Sequence, residues 1–234
     1  MENYKKNLDL LTKNYVYSKE MEHDACGVGL IASTEGKKSR TIVEHGIEAL
    51  KAVWHRGAVD ADGKTGDGAG IHVEIPKDFF IEKIQVTGHD YDNSEICVGM
   101  IFLPRNDYSA QENCKTIVES ELTKNNFSIY GWRQVPVNSK VLGEKALQTM
   151  PEIIQVLFKS TDPNLLGKNL ERKIYETRKK IENKAFNASL NNFYICSISS
   201  KSIIYKGLYL AEAISDFYLD LKDSRFISRY AIFH

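Results

Sequence analysis

The stretch Cys26-Gly27-Val28-Gly29-Leu30-Ile31 combines a cysteine with a glycine-interrupted apolar strand, and it follows a short polar leader, residues 1–25. Cleavage after Ala25 would make Cys26 the first residue. Its α-amino group, with a pKa of about 8, would then lie beside its own thiol and could accept the thiol proton directly or through one water. The sequence therefore predicts a leader that is removed on maturation and a catalytic thiol at Cys26.

An ordinary core cysteine is the alternative, because free cysteine is among the most buried residue types. Cys97 and Cys196 lie in strand-like apolar runs where a small buried thiol is expected, and Cys114 is the fourth cysteine. No two cysteines form a C-x-x-C pair, which argues against a zinc or iron cluster built from this segment alone. We therefore expect no metal site here, and thiols in a reducing compartment.

Composition and charge limit the possible classes of protein. The 234 residues are 42% hydrophobic with 5 prolines, enough for one sizeable core. Lysines plus arginines equal aspartates plus glutamates at 31 each, so no net field favours nucleic acid. No apolar run approaches the roughly 20 residues that span a bilayer, and the leader lacks the apolar core of a secretory signal. These features predict a cytoplasmic protein that binds neither nucleic acid nor membrane.

A second glycine-rich segment runs from Trp54 to Gly70 as WHRGAVDADGKTGDGAG. It is no phosphate-binding loop, because five residues instead of four separate Gly57 from Gly63 and a helix precedes it. It lacks the preceding strand of a dinucleotide site and the final glutamate of a calcium loop. The pattern favours a structural loop whose turns are formed by aspartates, namely Asp60, Asp62 and Asp67.

Hydrophobic periodicity predicts an α+β layered architecture. The predicted strands cover 26–34 (buried), 69–75, 94–103, 127–137, 153–159, 192–200, 203–207 and 226–233, of which 192–200 and 203–207 form a hairpin. The predicted helices cover 39–55, 107–125, 163–187 and 211–218; the first has an apolar stripe of Val43, Ile47, Leu50 and Trp54. The chain stops at His234 inside an apolar strand, from which we expect a fragment of a longer protein.

The sequence closely resembles the N-terminal glutaminase domain of the large subunit of glutamate synthases, which are class II glutamine amidotransferases. The similar segments are Asp24–Leu30, Ile47–Leu50, His55–Ala58, Ala61–Ile71, Tyr130–Pro136, Tyr205–Leu208 and Ala231–His234. They cover nearly everything after the leader, so 26–234 is identified as one amidotransferase domain that lacks its C-terminal part. The insertion around Asp62–Gly70 is typical of glutamate synthases within this class.

The resemblance implies an N-terminal nucleophile (Ntn) hydrolase fold, a four-layer αββα sandwich that is incomplete here, with Cys26 opening a central strand. It implies hydrolysis of L-glutamine to glutamate and ammonia through a cysteinyl thioester, with Arg56 and Gly57 lining the substrate pocket. The family's carboxylate-binding arginine and its Asn-Gly oxyanion pair are expected after His234.

For the full-length protein the resemblance implies downstream synthase domains that combine ammonia with 2-oxoglutarate. It also implies FMN and an iron–sulfur cluster, with no cofactor in this segment, and either a small subunit with NADPH or ferredoxin as electron source. Two alternatives remain open: another class II amidotransferase, and a catalytically incomplete fragment that acts only as an interaction module.

Overall fold

The computed structural model describes residues 2–14, 18 and 27–234. Its strands form two four-stranded sheets in which every pairing is antiparallel. The first sheet has the order β1-β8-β2-β7, with strands Gly29–Ala32, Tyr230–Phe233, Ala69–Glu74 and Ser202–Gly207. The second has the order β4-β5-β3-β6, with strands Phe127–Gln134, Glu152–Ser160, Cys97–Leu103 and Tyr194–Ser199.

Seven α-helices connect or cover these sheets in the described part of the chain. They are α1 (Glu2–Asn14), α2 (Arg40–Ala52), α3 (Lys77–Val86), α4 (Tyr108–Lys124), α5 (Glu144–Thr149), α6 (Gly167–Asn187) and α7 (Ile214–Phe217). Helix α2 packs on β1, β8 and β2, whereas α4 and α6 pack on each other and on the second sheet. None of the described helices combines the length and the apolar character needed to cross a bilayer.

Two apolar clusters hold these layers together. The larger cluster joins α2, α3 and the first sheet to the inward side of the second sheet, and it includes Leu50, Phe79, Met100 and Tyr205. The smaller cluster lies between the second sheet and helices α4 and α6. Both faces of the second sheet are therefore covered, which explains why the central strand β3 has six buried residues among its seven.

Glycines allow the first sheet to pack closely where β1 begins. Gly29 pairs with Phe233, and a Cβ atom at position 29 would lie 2.2 Å from the Phe233 ring. A Cβ atom added at Gly46 of α2 would likewise lie 2.5 Å from the Cβ atom of Ala231. These contacts fix the start of β1, and hence Gly27, beside the C-terminal end of α2.

The predicted α+β class and the two antiparallel sheets are confirmed. Strands form within 192–200 and at 203–207 as predicted, but the prediction that they pair as a hairpin is wrong. The two strands belong to different sheets, so the turn between them joins the two sheets. The prediction of a buried, central first strand is wrong for the described residues: β1 lies at the edge of its sheet, and Leu30 is 61% exposed.

Helices α1, α3 and α5 were not predicted from the sequence. The last strand is shorter than expected, since pairing starts only at Tyr230.

Candidate functional site

A cavity of about 310 Å³ opens where α2, the glycine-rich segment and the start of β2 meet. Gly27 lies on its wall, one residue after Cys26. Arg56 and Gly57 line the same cavity, so the structure brings both predicted pocket residues together with the neighbour of the predicted nucleophile. The remaining lining residues are Leu50, Val53, Trp54, Val59, Gly63, Asp67, Gly68, Ala69, Tyr209, Leu210, Ala211, Glu212 and His234.

Gly27 and Arg56 are in direct contact. A Cβ atom at position 27 would lie 3.2 Å from Cβ and 3.3 Å from Cγ of Arg56, and 3.7 Å from Cγ2 of Val53. A larger residue than glycine would therefore press on the arginine stem. Cys26 itself lies outside the described residues, so its prediction as nucleophile stays a prediction.

The end of α2 positions the dipeptide Arg56-Gly57. The helix stops at Ala52, and residues Trp54–Arg56 form a single 3-10 turn. Two backbone hydrogen bonds close this turn: the N–H of Arg56 donates to the Val53 carbonyl at 2.9 Å, and that of Gly57 to the Trp54 carbonyl at 3.0 Å.

The prediction that the helix extends to residue 55 with Trp54 on its buried stripe is wrong. The change to a 3-10 turn rotates Trp54 away from the core, and its side chain is 60% exposed.

The loop after Gly57 is a self-contained structure. Val59 and Gly66 pair as an isolated bridge, and the N–H of Asp60 donates to the Thr65 carbonyl at 2.9 Å. One Asp62 oxygen accepts from the backbone N–H groups of Lys64 and Thr65, at 2.9 and 2.7 Å. The other accepts from the Thr65 hydroxyl at 2.6 Å. These bonds hold the pKa of the Asp62 carboxyl well below its ordinary value.

Helix α5 anchors this loop from outside. Lys145 donates to both carboxylate oxygens of Asp60, at 2.9 and 2.7 Å, and lowers the pKa of that carboxyl. The N–H of Ala146 donates to the Thr65 hydroxyl at 3.4 Å. The aspartates Asp60 and Asp62 are thus turn formers, as the sequence predicts. No three His, Cys, Asp or Glu side chains in the described ranges are grouped so as to hold a metal ion.

The opposite wall of the cavity comes from residues about 150 positions later in the chain. Gly66 packs on the backbone of Tyr209, where a Cβ atom would lie 2.5 Å from the Tyr209 carbonyl oxygen. The Tyr209 side chain is buried, and its hydroxyl has no hydrogen-bond partner within the described structure. Burial raises its pKa well above the ordinary value, so it is a neutral phenol. No sequence pattern predicts that Tyr209 and Glu212 lie at this site, because no spacing links them to Arg56.

The three described cysteines are unsuited to nucleophilic chemistry. Cys97, Cys114 and Cys196 are all buried free thiols. Burial raises the pKa of Cys114 and of Cys196 to about 11, and that of Cys97 well above its ordinary value. Because the thiolate is the reactive form, these three side chains are inert at neutral pH.

Comparison with known proteins identifies the family of this chain. The family model described as class-II glutamine amidotransferases matches residues 26–234, beginning at Cys26. The chain is 51% identical over 231 residues to the large chain of the NADPH glutamate synthase of Azospirillum brasilense, an alignment that covers 99% of this chain and 15% of that protein. It is 38% identical over 214 residues to ferredoxin-dependent glutamate synthase 2 of Synechocystis, covering 91% and 13%.

The chloroplastic ferredoxin-dependent enzyme of Spinacia oleracea is 39% identical over 221 residues, again covering 91% of this chain and 13% of the relative. The chain thus spans about one seventh of the length of the curated relatives that it matches. With a family model matched over all but the first 25 residues, the chain belongs to the class II glutamine amidotransferases, and with them to the Ntn hydrolase fold class.

Proposed function

We propose that this chain carries out the glutaminase half-reaction of a glutamate synthase, with Cys26 as nucleophile. The observation that carries the proposal is the position of Gly27: the residue after Cys26 lies against Arg56, on the wall of a cavity that Gly57 also lines. A cavity of about 310 Å³ is at the lower end of the range for small-molecule sites.

Hydrolysis of the Ala25–Cys26 peptide bond during maturation removes residues 1–25 and frees the α-amino group of Cys26. This amine takes the thiol proton, and Sγ attacks the side-chain carboxamide carbon of L-glutamine. The tetrahedral intermediate collapses by breaking the C–N bond, and the leaving nitrogen takes up a proton and departs as ammonia. Water then attacks the glutamyl thioester, which releases glutamate and regenerates the thiol. Arg56 and Gly57 contact the substrate; we assign them no chemical step.

In the full-length protein, the ammonia would pass to synthase domains of the same chain and react there with 2-oxoglutarate. We place FMN and the iron–sulfur cluster in those other domains. The described thiols Cys97, Cys114 and Cys196 belong to β3, α4 and β6, and they are not grouped with other potential ligands. Both NADPH, with a small subunit, and ferredoxin remain candidate electron sources, since relatives of both kinds match. We expect the protein in the cytoplasm.

Labelling of the full-length protein with the glutamine analogue 6-diazo-5-oxonorleucine tests the proposal. We expect one adduct per chain, at Cys26 of a polypeptide that begins with Cys26, and protection by L-glutamine. Because the other three thiols are buried, they should stay unmodified and serve as internal controls. Glutaminase activity in a protein that still carries Met1 would contradict the role of the amine.

The alternative of another class II amidotransferase predicts ammonia transfer to an acceptor other than 2-oxoglutarate. The anchored loop around Asp62, which the resemblance associates with glutamate synthases, favours the first proposal. The interaction-module alternative predicts equal labelling of all four cysteines, or of none.

A further inference from the structure

Two exposed apolar side chains flank the Arg56-Gly57 dipeptide at the mouth of the cavity. Trp54 precedes it and is 60% exposed, and Val59 follows it and is 50% exposed. Both line the cavity together with Gly27. A single exposed apolar residue is normal on a protein surface, but two that line one concave site next to a cationic side chain are informative.

The tryptophan is held on a rigid support. Its 3-10 turn is closed by the hydrogen bonds of Arg56 and Gly57 described above, and Val53, immediately before it, donates its own N–H to the carbonyls of Ala49 and Leu50, each at 3.3 Å. A tryptophan side chain has only two rotatable torsions, so immobilising it on a ligand costs little conformational entropy. Its ring is thus well placed to cover the aliphatic part of a ligand.

We propose that Trp54 packs on the two side-chain methylene groups of bound glutamine and closes the mouth of the cavity, which makes it a specificity-determining residue. This inference rests on the proposed glutaminase function. Glutamine has one more methylene than asparagine between its α-carbon, which carries the ammonium and carboxylate groups, and its carboxamide. Covering that methylene favours the longer substrate by about fourfold.

The loop 57–68 contributes a second apolar side chain to the same cavity. Val59 is tied to Gly66 by an isolated bridge, and the loop is anchored to α5 by Lys145 and Ala146. Val59 therefore lines the cavity from an anchored loop, and Trp54 supplies the larger apolar surface. Without a ligand, most of the Trp54 side chain is in water, which is an unfavourable state for so large an apolar group.

The experiment compares two alkylating agents on the full-length protein and its Trp54→Ala variant. 6-Diazo-5-oxonorleucine carries the glutamine side chain, whereas iodoacetamide does not. We expect the half-saturating concentration of the glutamine analogue for Cys26 to rise about tenfold in the variant, since most of an aromatic contact is lost. The rate with iodoacetamide should stay unchanged. Val86→Ala, a truncation of a 78% exposed residue at the end of α3, is the matched control and should change neither.

An unchanged half-saturating concentration in Trp54→Ala would overturn the inference. If Trp54→Ala reacts slowly with both reagents, Trp54→Phe decides: about a threefold rise for the glutamine analogue alone supports the contact, and no change contradicts it. If the unmutated protein is not labelled at Cys26 by either reagent, the proposed function has failed, which is a different result from failure of the Trp54 contact.

Discussion

The backbone of Gly143 lies so close to Thr65 that a Cβ atom at position 143 would be 2.3 Å from the Thr65 hydroxyl oxygen. The same atom would lie 2.3 Å from an Asp62 carboxylate oxygen and 2.5 Å from the Thr65 backbone nitrogen. Gly143 precedes α5, so this contact seats the helix on the loop that forms one wall of the cavity.

We therefore expect Gly143→Ala to lower the free energy of unfolding by about 3 kcal/mol, because the methyl group displaces a hydrogen-bonded loop. The φ angle at Gly143 is −74°, which any residue adopts, so the loss is steric. Urea denaturation followed by circular dichroism measures it. The control is Gly36→Ala, where φ is +67° and the added Cβ atom would meet no other part of the protein within 4 Å. Only the conformational cost of about 1 kcal/mol is expected there. Equal losses in the two variants would contradict the close-contact explanation.

Glu74 gives the fold a specific dependence on pH. Its side chain is buried, and it accepts hydrogen bonds from the Arg229 backbone N–H at 2.6 Å and from Arg229 Nε and Nη2 at 3.0 and 2.6 Å. Burial alone would raise the pKa of Glu74, but the hydrogen bonds from Arg229 and the charge of Lys38 lower it overall. A carboxyl with a lowered pKa stabilises the folded state above its unfolded pKa, and this stabilisation is lost as the pH falls through the folded value.

Glu74→Gln should therefore reduce the Tm near neutral pH, and the difference from the unmutated protein should shrink as the pH approaches about 3. Thermal melts across this range measure the difference. Glu35→Gln is the control, since Glu35 forms an exposed pair with Lys37 and should show almost no difference at any pH. A Tm difference between Glu74→Gln and the unmutated protein that stays the same at every pH would rule out titration of Glu74 as the cause.

The fold was predictable from sequence where periodicity extends over many residues. Helix α6 and strands β3 and β5 are long, and their apolar spacing survives in the structure as buried faces. Short elements were missed: α5 has six residues, and its role depends on contacts with a loop about 80 positions away. The apolar periodicity also predicted a helix that continues through Trp54, because apolar spacing does not distinguish an α-helix from the 3-10 turn that follows it.

The candidate site was only partly predictable. Arg56 and Gly57 were found through a motif that is continuous in sequence, and they line the cavity beside Gly27. Tyr209 and Glu212 reach the same cavity through the antiparallel pairing of β2 with β7, which no local pattern encodes. The assignment of Cys26 remains a prediction.

Gly27→Ala tests the contact between the chain at the proposed nucleophile and Arg56. The added Cβ atom would lie 3.2 Å from Arg56 Cβ, tight enough to shift either the arginine or the backbone next to Cys26. We expect kcat/KM for glutamine hydrolysis to fall about tenfold or more, because small displacements of reacting groups are costly. Thermal stability should change little at this half-buried position, because the nearest atoms belong to the flexible Arg56 stem. Full activity in the variant would show that the two residues are not geometrically coupled during turnover.

Arg133 and Asp220 form a buried ion pair that joins β4 to the 3-10 turn Leu219–Lys222. Two Arg133 nitrogens donate to the two Asp220 oxygens at 2.8 and 2.6 Å, and Arg133 also donates to Gln155 at 2.7 Å. The Tyr205 hydroxyl of β7 donates to Asp220 at 3.0 Å, so the network spans both sheets. The side chains of Asp220 and Arg133 are only 2% and 12% exposed.

Asp220→Asn leaves the Arg133 charge buried without a counter-ion, and we expect it to lower the free energy of unfolding by about 3 kcal/mol. The double variant Arg133→Met/Asp220→Leu removes both charges and should lose less than the sum of its single variants, because neither side chain then leaves a buried charge unpaired. A double-mutant cycle in urea measures this coupling. Additive losses would mean that the pair contributes only packing, and that the link between the two sheets depends on the neighbouring apolar cluster instead of on the charges.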